Sequence, residues 1–387
     1  MIQIFNHEYP KEKLSFHGVY TFVTSENSIE PLPYGHTLNS TLKFNLTREV
    51  RSIDKNLSWL TPRLQKHLKK EPTKKVQISV LNKSSLPEAL IINCLDYCYG
   101  HSLDKVFNTQ RYFNQLDKLA PIVIIHESMV HLINKLKCEV WVVHNEFSDL
   151  DGYLNGFDEF VKNESARFKK VFWSKLPMEI DYSTLLLKNF IQTEPFPFES
   201  LFKSNITITL ILREDRFMFL NWFNLFVYLV SRKLRVNTLF KSYFIFIQNS
   251  GVNRLVKKLL KFSPDIKVQA IGLGKSGTLS RGIIDLRQDY EQYKDNEPER
   301  ISHLSKTDLV IGIHGSHMII PSAIAGSFIN LTPSFKIESY TQDFIPRYKS
   351  GQLQAYLGRF IPNDLKSAQL HVEHMIGYID SMHKVSL

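Results

Sequence analysis

The sequence predicts an α/β protein made of two Rossmann-like parallel-sheet domains with a cleft between them. Three observations lead to this prediction. The chain has 387 residues, which favours two domains over one. Apolar, strand-like runs alternate with helical segments in two successive series, as in parallel sheets whose strands are buried on both faces. A polar stretch with two prolines, IQTEPFPFESLFKSN at residues 191–205, separates the two series.

The first domain is expected to span residues 1–200. Its opening part, residues 1 to about 75, contains the short alternating stretches VYTFVTS and STLKFNLT, which predict strands. The strands predicted after them are KKVQISVLN, APIVIIHE, CEVWVVHNEF and FKKVFWSKL. We predict that LPEALIINCLDYCYGHSLDKVFNTQRYFNQL is largely helical and that MVHLINKLK is the next helix.

The second domain is expected to span residues 201–362. Its predicted strands are ITITLILR, YFIFIQ, IKVQAIGLG, DLVIGIHG and SFINLTP. Its predicted helices lie in FMFLNWFNLFVYLVS, GVNRLVKKLLKF, ERISHLSKT and SHMIIPSAIAG, while TLSRGIIDLRQDYEQY is read as loop or helix. Residues 363–387 predict a C-terminal helix, and whether it packs back on the N-terminal domain stays open.

The chain is basic, with 48 Lys and Arg against 38 Asp and Glu and a formal net charge of +10. The excess is clustered in RLQKHLKKEPTKK, SRKLR and KKLLK. Such clusters indicate either a solvated face or an anionic partner, such as a phosphorylated substrate, an acidic polysaccharide or an anionic membrane surface. No stretch matches a nucleic-acid-binding module, so nucleic acid is not an expected partner.

The cysteines, the apolar stretches and the N-terminus bear on where in the cell the protein is found. The three cysteines are too few for a disulfide framework and do not reach zinc-ligand spacing with histidines. The apolar stretch at residues 217–231 is too short to span a bilayer; it could lie in a membrane interface, but a buried helix is the preferred interpretation. Since the N-terminus lacks a signal-peptide pattern, we expect a cytoplasmic protein, with peripheral contact at the inner face of the membrane left open.

The most informative segment is LVIGIHGSHMIIPSAIAGSFINLTP, at residues 309–333. An apolar strand ends there and is followed at once by His314, Gly315, Ser316 and His317. Glycine permits close backbone approach, and an imidazole beside the N–H groups of a helix start can bind an anion such as a diphosphate. The alternative is a capped helix with a surface histidine.

This segment resembles the signature of the family 61 glycosyltransferases, an aspartate and apolar strand followed by Gly-x-His-Gly-Ser. GHSLDKVFNTQRYF at residues 100–113 and ITLILREDR at residues 208–216 fit the same comparison. The resemblance implies a GT-B-like fold and an inverting transfer from a nucleotide-sugar donor to a glycan or lipid-linked glycan acceptor in surface polysaccharide synthesis. It implies no obligatory metal or other cofactor.

The resemblance also implies residue roles. Arg213, His314, Gly315 and Ser316 would face the donor diphosphate. His101 and Asp104 would project from the acceptor domain; three residues apart on a helix, they share a face and could act as base and orienting group.

Two further residues are donor-binding candidates because of their positions in the sequence. Arg216 lies three residues after Arg213, although both could be plain ion-pair partners of Glu214 or Asp215. Lys275, within the glycine-rich IGLGKSG, is a phosphate-contact candidate, but the stretch is weak as a dinucleotide fingerprint.

Three alternatives stay open. The segment around His314 also looks like that of polysaccharide pyruvyltransferases, which use phosphoenolpyruvate and whose histidine would fall nearer His317. SDLDG at residues 148–152 contains the Asp-x-Asp arrangement of metal-dependent transferases, although capping aspartates in a turn are commoner. A non-enzymatic polyanion-binding protein would show an affinity that falls steeply with salt.

Overall fold

The computed structural model describes residues 2–4, 7–9, 11–38, 42–52, 58–70, 74–113, 119–175, 182, 185–203, 205–289, 296–339 and 343–385. The chain forms two compact units, Met1–Phe190 and Ile191–Leu387. The boundary therefore falls at residue 190 rather than at residue 200. Each unit has its own buried apolar core.

The first unit contains α/β elements preceded by short strands. Its described strands are β1 (Ile2–Ile4), β2 (His7–Tyr9), β3 (Leu14–Phe16), β4 (Thr21–Thr24), β5 (Ile29–Pro31), β6 (Lys43–Phe44), β7 (Val50–Ser52), β8 (Ile78–Leu81), β9 (Glu88–Asn93), β10 (Ala120–His126), β11 (Glu139–Val143) and β12 (Lys170–Trp173). Its described helices are α1 (Thr61–Lys69), α2 (Tyr99–Asn108), α3 (Gln110–Phe113) and α4 (Phe157–Ser165).

Two sheets organise the first unit. A mixed sheet has the order β2-β1-β12-β9-β10-β11-β8, in which the five inner strands run parallel and the two edge strands run antiparallel to their neighbours. The short strands β3 to β7 form a separate antiparallel sheet. Phe16 of that sheet packs on Trp173 of the mixed sheet, with ring centroids 5.0 Å apart, so one core joins the two sheets.

The prediction that residues 86–116 are largely helical is wrong at their start. Glu88–Asn93 is a strand in the middle of the mixed sheet, and the helix begins only at Tyr99. The apolar run inside this strand, Ala89–Ile92, is too short to distinguish a buried helix from a strand buried on both faces. The predicted helix MVHLINKLK is instead a 3₁₀ segment, Glu127–Leu132, followed by a turn.

The second unit alternates strands and helices throughout. Its described strands are β13 (Thr207–Arg213), β14 (Lys267–Leu273), β15 (Ile283–Asp285), β16 (Leu309–Ile313), β17 (Ser327–Thr332) and β18 (Gly358–Pro362). Its described helices are α5 (Trp222–Lys233), α6 (Lys241–Phe262), α7 (Glu297–Leu304), α8 (Ile319–Ile324), α9 (Gly351–Leu357) and α10 (Leu365–Val385).

These strands form a parallel sheet in the order β15-β14-β13-β16-β17-β18. Numbered within the unit, that order is 3-2-1-4-5-6, the order of doubly wound nucleotide-binding sheets. Helix α10 packs on α6 and β18, and its Val372 and Met375 are buried in the core of the second unit. Its described buried face therefore belongs to its own unit, whereas the sequence left packing on the N-terminal domain open.

Two predictions for the second unit are corrected. YFIFIQ is not a strand but part of helix α6, because its buried residues continue at helical spacing through Val252, Leu255 and Leu259. TLSRGIIDLRQDYEQY, expected to be loop or helix, contains the short strand β15, and its last four residues lie outside the described ones. Among the described residues, no helix combines the length and the apolar character needed to cross a bilayer.

Candidate functional site

The second unit has a switch point in its sheet. The chain runs from β13 to β14 and β15 on one side, and then returns to β16 on the other side of β13. In open parallel sheets, ligands bind beyond the carboxyl ends of the strands at such a point, because the connections diverge there and leave a crevice. Strand β13 ends at Arg213 and β16 ends at Ile313, so the two segments singled out from the sequence meet at this place.

A cavity of about 470 Å³ opens beside these strand ends. Its volume lies in the range of small-molecule sites. Its lining includes the side chains of Arg216, Arg232, Lys241 and Lys336 against the carboxylates of Glu214 and Asp215. The balance of charge is positive, which suits an anionic ligand. Other lining residues are His314, Phe335, Tyr228 and Asn363.

Arg216 is held against the backbone that follows β16. Its Nη1 donates a hydrogen bond of 3.1 Å to the carbonyl oxygen of His314. Gly315 has φ +152°, and a Cβ there would lie 1.8 Å from that Nη1. Only a glycine leaves room for the guanidinium at this point, so the close approach expected of Gly315 is present.

Arg213 and Glu214 are fixed by ion pairs. Arg213 donates from Nε and Nη2 to the two carboxylate oxygens of Asp215, over 2.6 and 2.8 Å. Burial opposes ionisation of Asp215, but the Arg213 hydrogen bonds outweigh it and lower the pKa of the carboxyl. Glu214 pairs with Lys241 at 2.6 Å. The ion-pair alternative weighed for Arg213 is therefore realised, whereas Arg216 donates to a carbonyl oxygen.

The glycine-rich stretch IGLGKSG lies next to these residues. The backbone N–H of Ser276 donates to Glu214 Oε1 over 2.8 Å. Lys275 and Arg213 line a second cavity of about 450 Å³, together with Asp215 and Lys241. The structure thus brings Lys275 to the same edge of the sheet as Arg213, although β14 leads into a loop and not into a helix that could bind a dinucleotide phosphate.

His314 and His317 are both neutral at pH 7 by their surroundings. Burial lowers the pKa of His314, whose Nδ1 lies 3.3 Å from Asn330 Nδ2 and whose Nε2 lies 3.6 Å from Asp343 Oδ2. Burial lowers the pKa of His317 far below its usual value, and Arg213 and Arg216 lower it further. Neither ring nitrogen of His317 has a side-chain hydrogen-bond partner among the described residues. We therefore expect these rings to act as hydrogen-bond donors, while arginine and lysine supply the charge.

The turn that follows is tighter than the predicted helix. Ser316–Met318 forms a 3₁₀ turn, and the α-helix covers only Ile319–Ile324. Ser316 is therefore part of the turn at the strand end, beside Gly315, rather than the cap of a long helix.

A second polar cluster lies in the first unit, at the carboxyl end of β9. Asp96 is fully buried, and its Oδ2 accepts a 3.0 Å hydrogen bond from the Nζ of Lys105, which is also buried. His101 Nδ1 lies 3.3 Å from Asp96 Oδ1 and 3.1 Å from His36 Nε2. His36 comes from a 3₁₀ segment, Gly35–Thr37, that follows strand β5 of the antiparallel sheet.

Burial and neighbouring charges determine which side chains of this cluster are ionised. Burial opposes ionisation of Asp96, but Lys105 and then the histidines outweigh it, so the pKa of this carboxyl is well below its usual range. Burial lowers the pKa of His36 to about 4, so its ring is neutral at pH 7. The cluster therefore combines an ionised aspartate, a lysine ammonium and two imidazoles, of which His101 is the more exposed.

The same three residues could hold a divalent metal ion. One ligand atom each from His36, Asp96 and His101 lies within 4.8 Å of the others. Two imidazoles and one carboxylate suit zinc or another transition metal, although Lys105 already neutralises the carboxylate. The Asp-x-Asp alternative is weaker, because Asp151 pairs with Arg63 and Lys66 while Asp149 pairs with Lys74.

The pairing expected for His101 is different in the structure. The carboxylate that contacts its ring belongs to Asp96, whereas Asp104 Oδ1 accepts a 2.8 Å hydrogen bond from the hydroxyl of Tyr182. Sequence reasoning missed Asp96 because its segment was read as helix; recognised as a strand, that segment would have placed Asp96 at a carboxyl strand end. Nothing in the sequence links His36 to this place, 65 residues before His101.

Comparisons of this chain with protein-family models, with curated proteins and with solved structures found no match.

Proposed function

We propose that this protein is a metal-independent glycosyltransferase of GT-B type, which moves a sugar from a nucleotide-sugar donor to a hydroxyl of a glycan or lipid-linked glycan, with inversion. The observation that carries the proposal is the cationic cavity at the switch point of the second unit. Its position is where doubly wound sheets bind nucleotides, and its charge suits a diphosphate.

The donor would lie with its diphosphate among the cationic side chains. Arg216, Lys241 and Lys336 would stabilise the charge that develops on the leaving nucleoside diphosphate as the glycosidic C–O bond breaks. His314 would donate a hydrogen bond from its neutral ring to a phosphate oxygen. Phe335, which is partly exposed at the same cavity, offers a ring face for the nucleotide base.

The acceptor side of the reaction needs a base. The acceptor hydroxyl attacks the anomeric carbon from the face opposite the leaving group, and its proton passes to the base. We propose His101 for this role, with Asp96 orienting its ring and stabilising the imidazolium that forms. Asp104, expected to orient His101, would instead position Tyr182.

A second candidate is pyruvyl transfer from phosphoenolpyruvate. One observation favours it: the ring of His317 is buried close to Arg213 and Arg216, and neither of its nitrogens has a side-chain hydrogen-bond partner among the described residues. A carboxylate or phosphate of phosphoenolpyruvate would supply such a partner. The two candidates differ in the donor that binds.

Ligand binding to wild type and to Arg216→Ala tests the proposal. Thermal shift and calorimetry with UDP, GDP, CDP, CMP, dTDP, their sugars and phosphoenolpyruvate would be run with Mn²⁺ and with EDTA. We expect one nucleotide to bind equally in both media, and its affinity to fall about tenfold or more in Arg216→Ala, as for a lost charge-assisted contact. Lys267 is an exposed lysine at the amino-terminal end of β14, away from the cavity. Lys267→Ala is therefore the control and should bind like wild type.

Each other result has a defined meaning. Binding of phosphoenolpyruvate alone would replace the glycosyltransferase proposal with the pyruvyl one. Nucleotide binding that disappears with EDTA would overturn metal independence. No response to any ligand would overturn both candidate functions.

A further inference from the structure

Helix α5 has its polar side facing inward and its apolar side facing outward. Its buried residues are Asn224, Tyr228 and Ser231, spaced four and three residues apart on one face. Trp222 and Phe226 lie on the opposite side and are 80% and 61% exposed. A surface helix of a globular domain normally has the reverse arrangement, so packing among the described residues of this unit does not explain this one.

The inward face is well satisfied by hydrogen bonds. The Tyr228 hydroxyl donates to the carbonyl oxygen of Asp215 over 2.9 Å, and Asn224 Oδ1 accepts from the Tyr243 hydroxyl over 2.7 Å. The Asn221 side chain caps the helix by accepting from the N–H of Asn224. The orientation of the helix is therefore fixed by specific contacts, and its apolar side is held outward.

Exposed apolar residues also occur on the next helix and in the connection that leads to it. Tyr228 of α5 packs edge-on against Phe244 of α6, with ring centroids 5.4 Å apart, which joins the two helices. We call the exposed set the aromatic face: Trp222, Phe223, Phe226, Leu229, Val230, Leu234, Leu239, Phe240, Tyr243 and Phe246. Apolar surface of this extent is rare on a protein that stays in water and indicates an interaction site.

The segment that carries the aromatic face is basic, and of its basic residues Lys241 is paired with Glu214, which lies just before the segment. Residues 216–264 contain no Asp or Glu and nine basic residues: Arg216, Arg232, Lys233, Arg235, Lys241, Arg254, Lys257, Lys258 and Lys261. Lys233 is the last residue of α5 and Arg235 follows its C-cap; both are exposed and flank Leu234 of the aromatic face. An occupant of this face must therefore be apolar in the middle and anionic around it.

We infer that the aromatic face binds the surface of an anionic lipid bilayer. Trp222, Phe226 and their neighbours would lie among the headgroups and the first acyl carbons, and Lys233 and Arg235 would contact lipid phosphates. Tryptophan is the residue most typical of that interfacial depth. A second copy of the chain fits less well, because it would bring two basic surfaces together with no acidic group in either segment to offset them.

This inference does not depend on the proposed transfer reaction. It corrects the interpretation of residues 217–231 as a buried helix: the first residues, Phe217 to Leu220, are buried, but the helix that follows is exposed along its apolar side. The alternative weighed for the same residues, a position in the membrane interface, agrees with this geometry.

Vesicle co-sedimentation of the full chain tests the inference. We expect binding to vesicles of phosphatidylcholine with about one third phosphatidylglycerol, weak binding to phosphatidylcholine alone, and release as salt rises. Trp222→Ser combined with Phe226→Ser should lower the partition coefficient about tenfold or more, and Lys233→Gln combined with Arg235→Gln should lower it at least about fivefold. Leu370→Ser removes a similarly exposed apolar side chain from α10 and should bind like wild type.

Fluorescence gives an independent readout, since Trp222 should shift to shorter wavelength when anionic vesicles are added, and Trp222→Phe should abolish that shift. Three results would overturn the inference. One is a lack of binding to anionic vesicles by wild type. The second is binding that the two double variants leave unchanged. The third is self-association in the absence of vesicles that Trp222→Ser with Phe226→Ser abolishes, which would assign the face to a second copy.

Discussion

Among single residues, the buried pair of Asp96 and Lys105 makes the sharpest stability prediction. Lys105 is enclosed and also donates to the carbonyl oxygen of Leu95 over 2.7 Å. Lys105→Met would leave an ionised carboxylate buried without its main partner, so we expect the free energy of unfolding to fall by about 3–5 kcal/mol. Urea unfolding followed by the fluorescence of the buried Trp141 and Trp173 in the same unit measures it.

The matched control is Lys162→Met, which removes a partly exposed partner of Asp158 and should cost less than about 1 kcal/mol. The double variant Asp96→Leu with Lys105→Met should lose less than the sum of the two single variants, because no charge is left unpaired. Losses that simply add would show that the pair is not coupled.

The burial of His67 predicts that the free energy of unfolding depends on pH in the acidic range. The His67 ring is fully buried, neither nitrogen has a side-chain hydrogen-bond partner among the described residues, and burial lowers its pKa to about 4. The unfolded chain takes up a proton below about 6.5, whereas the folded chain does not until about 4. The free energy of unfolding should therefore fall with pH in this window, by up to about 1.4 kcal/mol per unit from this residue.

Replacing this ring tests the assignment. His67→Phe should flatten the decline of the urea midpoint between about pH 6.5 and about pH 4 relative to wild type. His303→Phe changes a half-exposed ring in the other unit and should keep the wild-type slope. An unchanged slope in His67→Phe would assign the acid response to other groups, such as His17, whose pKa burial also lowers.

The role of a single residue could be predicted from the sequence where neighbouring residues in the chain determine its surroundings. Gly315 was expected to admit a close approach because it follows a strand end, and Arg216 occupies that space. Asp96 and His36 were not found. The position of His36 depends on how an antiparallel sheet packs on a mixed one, and no periodicity in the sequence records that packing.

At the scale of elements, the strand pair β13 and β14 depends on one glycine. Gly272 has φ +136°, and a Cβ there would lie 1.8 Å from the carbonyl oxygen of Leu212 on the neighbouring strand. Because that neighbour is backbone, Gly272→Ala must separate or twist the two strands. We expect a loss of at least about 2 kcal/mol in the free energy of unfolding.

Gly377→Ala is a control for which we expect the free energy of unfolding to change in the opposite direction. Gly377 lies in helix α10, and a Cβ there would meet nothing within 4 Å. Gly377→Ala should therefore stabilise the second unit by about 0.5–1 kcal/mol, because alanine favours the helix and restricts the unfolded chain. If both variants shifted the unfolding midpoint in the same direction, the close approach at Gly272 would not be what determines its effect.

Elements were predicted best where the window of apolar residues was long. The strands β13, β14, β16 and β17 fall within their predicted segments. The errors at Glu88–Asn93 and YFIFIQ arise because runs of four or five apolar residues do not distinguish a period of two from one of 3.6. A window extended to residue 262 would have shown the helical spacing of α6, whereas the strand β9 is recognisable only from its neighbours in the sheet.

For the whole molecule, the alternation of strands and helices correctly predicted an α/β chain. The five-stranded antiparallel sheet of the first unit was visible only as scattered strand signals, since strands of two to four residues carry little periodicity. The strand order 3-2-1-4-5-6 could not be read from the sequence at all, because it depends on which strands pair across the sheet. That order is what places Arg216 and His314 at a switch point.

The division of the chain into two units predicts that the second unit folds and binds nucleotide by itself. The second unit has its own core and contains every residue assigned to the donor cavity and to the aromatic face. Residues 191–387 expressed alone should therefore unfold cooperatively and bind the same nucleotide as the full chain with an affinity within about threefold, while having no transferase activity. Calorimetry on the fragment and on the full chain measures both properties. A fragment that folds but binds no nucleotide, beside a full chain that does bind, would mean that the first unit supplies part of the donor site.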